Sequence, residues 1–106
     1  MVGLGKVMEM GQKLQRRIGA LQEELETIEV TGSTTGGKVM ATVNGKGSIL
    51  SIRIEQILLD RADQKLLEKQ VYDAIAKAQE KANKISKKKM KKITGGLPIP
   101  FPGLGF

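Results

Sequence analysis

The sequence predicts an α+β domain in the order helix, small antiparallel sheet, helix, and three observations carry that prediction. Apolar residues near the start recur on a seven-residue count, the middle of the chain alternates apolar and polar residues around an Asn-Gly pair, and the second half returns to apolar steps of three and four. Amphipathic helices and a one-sided sheet must bury their apolar faces on each other. With 106 residues the chain builds one core. The expected division is a single domain over 1–94 and a Gly/Pro-rich tail over 95–106.

The first helix is expected from Leu4 to Ile28. Leu4, Ile18 and Leu25 share one register with Gly11, while Val7, Leu14, Leu21 and Ile28 hold the other, which makes an a/d seam suited to a partner helix. Glu23, Glu24, Glu26 and Glu29 crowd its C-terminal end, where the helix dipole disfavours anions, so an early or frayed end is expected there. Glu29 to Gly32 reads as a short strand. Val39, Ala41 and Val43 then alternate with Lys38, Met40 and Thr42, and Leu50, Ile52 and Ile54 alternate with Ser51 and Arg53. Between them Asn44-Gly45 is expected to supply the two positive-φ positions of a tight hairpin turn.

Asp63 is placed to cap a second long helix, whose apolar stripe runs Leu67, Val71, Ala74, Ala78, Ala82 and Ile85. Helices of twenty-five and thirty residues measure about 37 and 45 Å, against a diameter of roughly 34 Å for a compact domain of this size. The overhang is expected to pair with a second subunit through the seam and to project beyond it. Pro98, Pro100 and Pro102 bar the tail from helix or central strand and leave it extended or flexible.

Charge is distributed unevenly. The chain has 18 Lys+Arg against 11 Asp+Glu, a net charge of +7, and residues 77–92 hold eight lysines to one glutamate, the same net charge. Lys77, Lys81, Lys84, Lys88 and Lys91 follow steps of four and three and form a row along the second helix, with Lys87 and Lys92 beside it. From Lys77 to Lys91 the row spans about 21 Å, a length over which duplex DNA presents about a dozen phosphates. A macrodipole asks for one or two cations in a last turn, not a run of several turns. Lys6, Lys13, Arg16 and Arg17 lie near the first helix's seam, where they either flank the same binding groove or pair with acidic residues of a neighbouring subunit. The only aromatics are Tyr72, Phe101 and Phe106, so the basic region has no base-stacking platform, which favours duplex backbone contact with low sequence specificity.

Other chemistries find little support. There is no cysteine and no histidine, which excludes thiolate or imidazole ligands and nucleophile–histidine pairs. GSTTGGKV, Gly32 to Val39, approaches a phosphate-binding loop, but Val39 stands where a hydroxyl is required and a strand follows instead of a helix. No enzyme activity, cofactor or small-molecule substrate is expected. No signal peptide or bilayer-spanning run is visible, so a cytoplasmic protein is the expectation.

The segment IEVTGSTTGGKVMATVNGKGSILSIRIE, Ile28 to Glu55, resembles the central signature of the YbaB/EbfC family of nucleoid-associated proteins. The likeness continues through the Met- and Gln-bearing first helix, the V-T-G, G-G-x-V and N-G pattern, the Leu-rich turn, and a Gly-Leu-Pro tail ending in Phe. It implies a homodimer with a shared sheet and protruding helices, binding DNA with little sequence preference in a bacterial or organellar nucleoid. The helix residues implied as DNA-binding are Lys6, Lys13, Arg16 and Arg17, with Lys77, Lys81, Lys84, Lys87, Lys88, Lys91 and Lys92. One departure is Ala76, where relatives often carry Asn. Two rival readings are an anionic-membrane-surface binder, using the basic run with Leu97, Ile99, Phe101, Leu104 and Phe106, and a structural assembly module working through the seam.

Overall fold

The computed structural model describes residues 3–95. Helix α1 runs Leu4–Thr27, strands β1, β2 and β3 run Glu29–Ser33, Val39–Asn44 and Ile49–Ile54, a short helix α2 covers Gln56–Asp60, and α3 runs Gln64–Thr94. The strands form one antiparallel sheet in the order β1-β2-β3. The helix–sheet–helix order matches the sequence expectation. The tail predicted for 95–106 lies outside the described residues, apart from Gly95.

The sheet buries the face that alternation assigned to the core. Val30, Val39, Ala41 and Val43 pack with Ala74, Ala78 and Ala82 of α3 and with Leu58 of α2. The stripe of alanines brings α3 close, and Gly32 allows the contact, because a Cβ there would sit 2.6 Å from the Ala74 carbonyl oxygen and overlap the Ala78 amide. Any side chain at position 32 would lift the helix off the sheet. Asp63 caps α3 as its spacing suggested, its side chain accepting the Leu66 N–H at 3.1 Å. Gly95 closes the other end in the left-handed region at φ 66°.

Buried positions on α3 recur every fourth residue, through Ala74, Ala78, Ala82, Ser86, Met90 and Thr94. Four residues overshoot a full turn by about 40°, so this stripe winds about 200° around the helix. Its first half meets the sheet. Its second half meets α1, where Met90 and Ile93 pack on Ile18, Leu21 and Leu25. The seam of α1 therefore finds its partner inside the chain over its C-terminal half, not on a second subunit. Glu24 lies opposite Lys89, and Arg17 opposite Ile93 and Thr94, so the two helices run antiparallel. The N-terminal half of α1 continues past the end of α3 with Leu4, Val7, Met8 and Met10 between 54% and 77% exposed. The overhang expected from helix length is present: the molecule measures 69 × 21 × 19 Å, with a radius of gyration of 18.9 Å.

Two local expectations are corrected. The hairpin between β2 and β3 does not place Asn44-Gly45 at positive φ; the positive-φ residue is Gly47, at 88°. A longer connection forms, in which Asn44 Oδ1 accepts the N–H groups of Lys46 and Ser48, both at 3.0 Å. Gly45 serves another need, since its N–H donates to the Leu25 carbonyl at 2.7 Å and a Cβ would lie 2.8 Å from that oxygen. This contact also bears on the second correction. Helix α1 does not fray at its acidic cluster but runs to Thr27. Lys89 Nζ lies 2.7 Å from Glu24 Oε1 and Lys46 Nζ 2.9 Å from Glu26 Oε1, so cations from two other elements offset the dipole, and Gly45 caps a terminal carbonyl. The sequence places those cations 20 and 65 residues away, beyond any local rule.

Candidate nucleic-acid interface

The lysine row on α3 divides into two groups with different surroundings. Near the sheet, Lys81 Nζ donates to the Thr31 carbonyl at 3.1 Å and Lys77 Nζ to the Ser33 carbonyl at 3.4 Å. These oxygens belong to β1, an edge strand, so the two ammonium groups satisfy acceptors that no neighbouring strand reaches. Each ammonium keeps further protons for other acceptors. Beyond the sheet, Lys84 pairs with Glu80 at 3.5 Å across one turn, both side chains well exposed.

The last group carries the free charge. Lys87, Lys88, Lys91 and Lys92 are exposed and have no acidic partner within 4.0 Å among the described residues. Lys88 is two residues from Met90, about 200° around the helix, which puts it on the side opposite the α1 contact. The row thus faces outward on the limb that α3 and α1 build together.

On α1, Lys6, Lys13 and Arg17 follow steps of seven and four and form one row beside the seam, while Arg16, two residues before Ile18, points to the opposite side. All four are exposed. Lys13 lies 3.8 Å from Glu9, a solvated pair of little energetic consequence. Arg17 shares a shallow recess with Lys89 and Lys92 of α3, so one cation of the first helix is brought beside two of the second. Lys6 stands apart on the projecting arm. Lys89 is not among the residues that the sequence singles out, because it falls off the row. The structure puts it at the α1–α3 contact, where Glu24 occupies it.

Tyr72, the one aromatic among the described residues, is on the exposed surface of α3 toward its sheet end, away from the basic limb. No helix among the described residues is long and apolar enough to cross a membrane. The segment Gly32 to Val39 forms a strand end, a 3₁₀ turn over Thr35–Gly37 and the start of β2. Thr34 closes this loop by donating its backbone N–H to the Val39 carbonyl and by accepting the Val39 N–H on its hydroxyl at 3.2 Å. The loop leads into a strand, so its amides are not collected at a helix N-terminus as a phosphate loop requires.

Comparison with known proteins agrees with this architecture. A crystal structure of an uncharacterized protein from Helicobacter pylori superposes with a TM-score of 0.63 at 19% identity, covering 73% of this chain and 89% of that one. A nucleoid-associated protein of Rhodospirillum rubrum is 35% identical over 104 residues, 98% of this chain and 96% of the relative. Another, from Granulibacter bethesdensis, is 35% identical over 100 residues, 94% of each chain. The family model for the YbaB/EbfC DNA-binding family matches residues 1–97. The chain is a member of the YbaB/EbfC DNA-binding family.

Proposed function

We propose that this protein is a homodimeric, non-enzymatic component of the bacterial nucleoid that binds double-stranded DNA with low sequence specificity. Residues 1–94 act as the binding domain, and the phosphate contacts come from the outward lysines of α3, supplemented by Lys6, Lys13 and Arg17. The observation that carries this reading is the group Lys87, Lys88, Lys91 and Lys92, exposed and without acidic partners among the described residues, on a limb that extends beyond the sheet. Unpaired ammonium groups on a projecting helix suit a polyanion whose charge is spread along a line. Relatives named nucleoid-associated proteins in bacteria support the location.

The homodimer is supported by strand β3. It ends the sheet, α3 does not cover it, and its Ile49, Leu50 and Ile52 are exposed, as are Ile57 and Leu59 of α2. An open edge with apolar side chains is a template for a second strand. Joining two such edges would extend the sheet and place two basic limbs on one particle.

The test is a salt titration of binding to unrelated DNA duplexes. With three to five lysine contacts per subunit, log affinity should fall against log salt with a slope of roughly −5 to −9. Changing Lys87, Lys88 and Lys91 together to Gln should flatten the slope by roughly 0.9 for each lysine that had met a phosphate, and equally on every duplex. An unchanged slope would move the DNA-binding surface to α1. Tighter binding to single strands or RNA than to duplex would overturn the duplex reading.

A further inference from the structure

A shallow recess of about 320 Å³ opens on one flank of the limb, between α1 and α3. Its lining is apolar at Leu21 and Ile93 and cationic at Arg17, Lys89 and Lys92, and Glu24 lines it as well. The Glu24 carboxylate lies 2.7 Å from the Lys89 ammonium, while Arg17 and Lys92 have no acidic partner within 4.0 Å among the described residues. One anion therefore answers three cations, and it touches only one of them. Lys89 is more sheltered than Lys84, with 36% of its side chain exposed against 77%, so an anion brought to it is less screened by salt.

We propose that this recess receives one phosphate of the DNA backbone and that Lys89 exchanges Glu24 for it. The proposal rests on the DNA-binding reading and adds to it one contact, Lys89, and one competitor, Glu24. Phosphate suits the recess better than the carboxylate does, because its two free oxygens can take the planar fork of Arg17 and an ammonium together. Giving up the Glu24–Lys89 pair costs little, since both side chains are open to solvent. The exchange does not undo α1, whose end keeps the Lys46–Glu26 pair and the Gly45 hydrogen bond to Leu25. The row Lys6, Lys13 and Arg17 runs along α1 into the recess, so a backbone lying on that row is led to Lys89. Glu24 follows Arg17 by seven residues, about two turns, and ends that row with an acid. Competing with every duplex alike, it lowers affinity without altering sequence preference.

Duplex binding by the full chain across a salt series tests this. Lys89→Gln should flatten the slope of log affinity against log salt by about 0.9 for each copy of Lys89 in contact, and Lys89→Arg should keep the parent slope. Glu24→Gln should tighten binding about two- to fivefold per recess at an unchanged slope, since it removes the competitor and adds no contact. A purely structural pair predicts neither the flatter slope nor the tighter binding. If the parent binds duplex with its full salt dependence and Lys89→Gln has the same slope, Lys89 stays with Glu24, and the proposal falls while the DNA-binding reading stands. A steeper slope for Glu24→Gln would also overturn it, because Lys89 would then meet phosphate only once freed by mutation. A parent chain without salt-dependent duplex binding would remove the DNA-binding reading itself, and the recess with it.

Discussion

The two edges of the sheet are treated in opposite ways. At β1, helix α3 lies against Gly32, and the ammonium groups of Lys77 and Lys81 take up outward carbonyls. At β3 no helix covers the strand, and Ile49, Leu50 and Ile52 are open to solvent. A three-stranded sheet with one edge closed by charge and the other open and apolar can add a strand on one side only. For the proposed dimer, the contrast favours pairing of defined direction over an open-ended stack, because a twofold pair of β3 edges would consume the exposed edge of both copies.

The comparison breaks most severely at Gly32. Replacing it with Val puts side-chain carbons into the backbone of α3 and should cost about 3 kcal/mol or more, read as a fall of roughly 15 °C in the thermal midpoint. A midpoint within a few degrees of the parent would mean that α3 does not lie so closely on β1. Charging the other edge should act on assembly and spare the fold. Ile49→Lys with Ile52→Lys places cations on strand positions already exposed, so the monomer should melt near the parent temperature while self-association weakens by about ten- to a hundredfold, or 1.4 to 2.7 kcal/mol. Sedimentation showing an unchanged dimer would remove β3 from the interface. The smallest effect is expected from Lys77→Met with Lys81→Met. Both hydrogen bonds are solvent-exposed, so stability should drop by under about 1 kcal/mol. The sharper readout is solubility, because an unguarded β1 edge permits growth beyond a dimer. Unaltered solubility and size at high concentration would show that the lysines are not what closes that edge.

Much of this contrast is beyond the reach of sequence reading. Local periodicity suffices for α1, the three strands and the buried stripe of α3, since each depends on neighbours within a few residues. Asp63 as a cap is equally local. The seam of α1 announces an apolar partner without naming it, and the structure supplies α3 of the same chain for Ile18, Leu21 and Leu25. The row of lysines is legible as a row, but not the division within it. Lys77 and Lys81 look like Lys88 and Lys91 until the position of β1 is known, 44 and 50 residues away from their ammonium groups in sequence. Asn44-Gly45 misleads for a related reason: Gly45 is fixed by close approach to Leu25, a tertiary demand, and the turn's conformational demand falls on Gly47.

The winding stripe on α3 turns the length of a helix into an angle. Ala74 to Ala82 fix one end to the sheet, and Met90, farther along, fixes α1. The direction in which the limb leaves the body is therefore set by how many residues separate these two contacts, as the thread of a screw sets the heading of its slot. One residue inserted after Ala82 would turn Met90 and the outward lysines by about 100° and advance them by only about 1.5 Å. Such a change alters no existing side chain and, with an uncharged residue, no net charge, yet in a twofold pair it would swing both limbs. In the proposed dimer, the gap between the limbs, and hence the width of the object they could straddle, would be set by residue count.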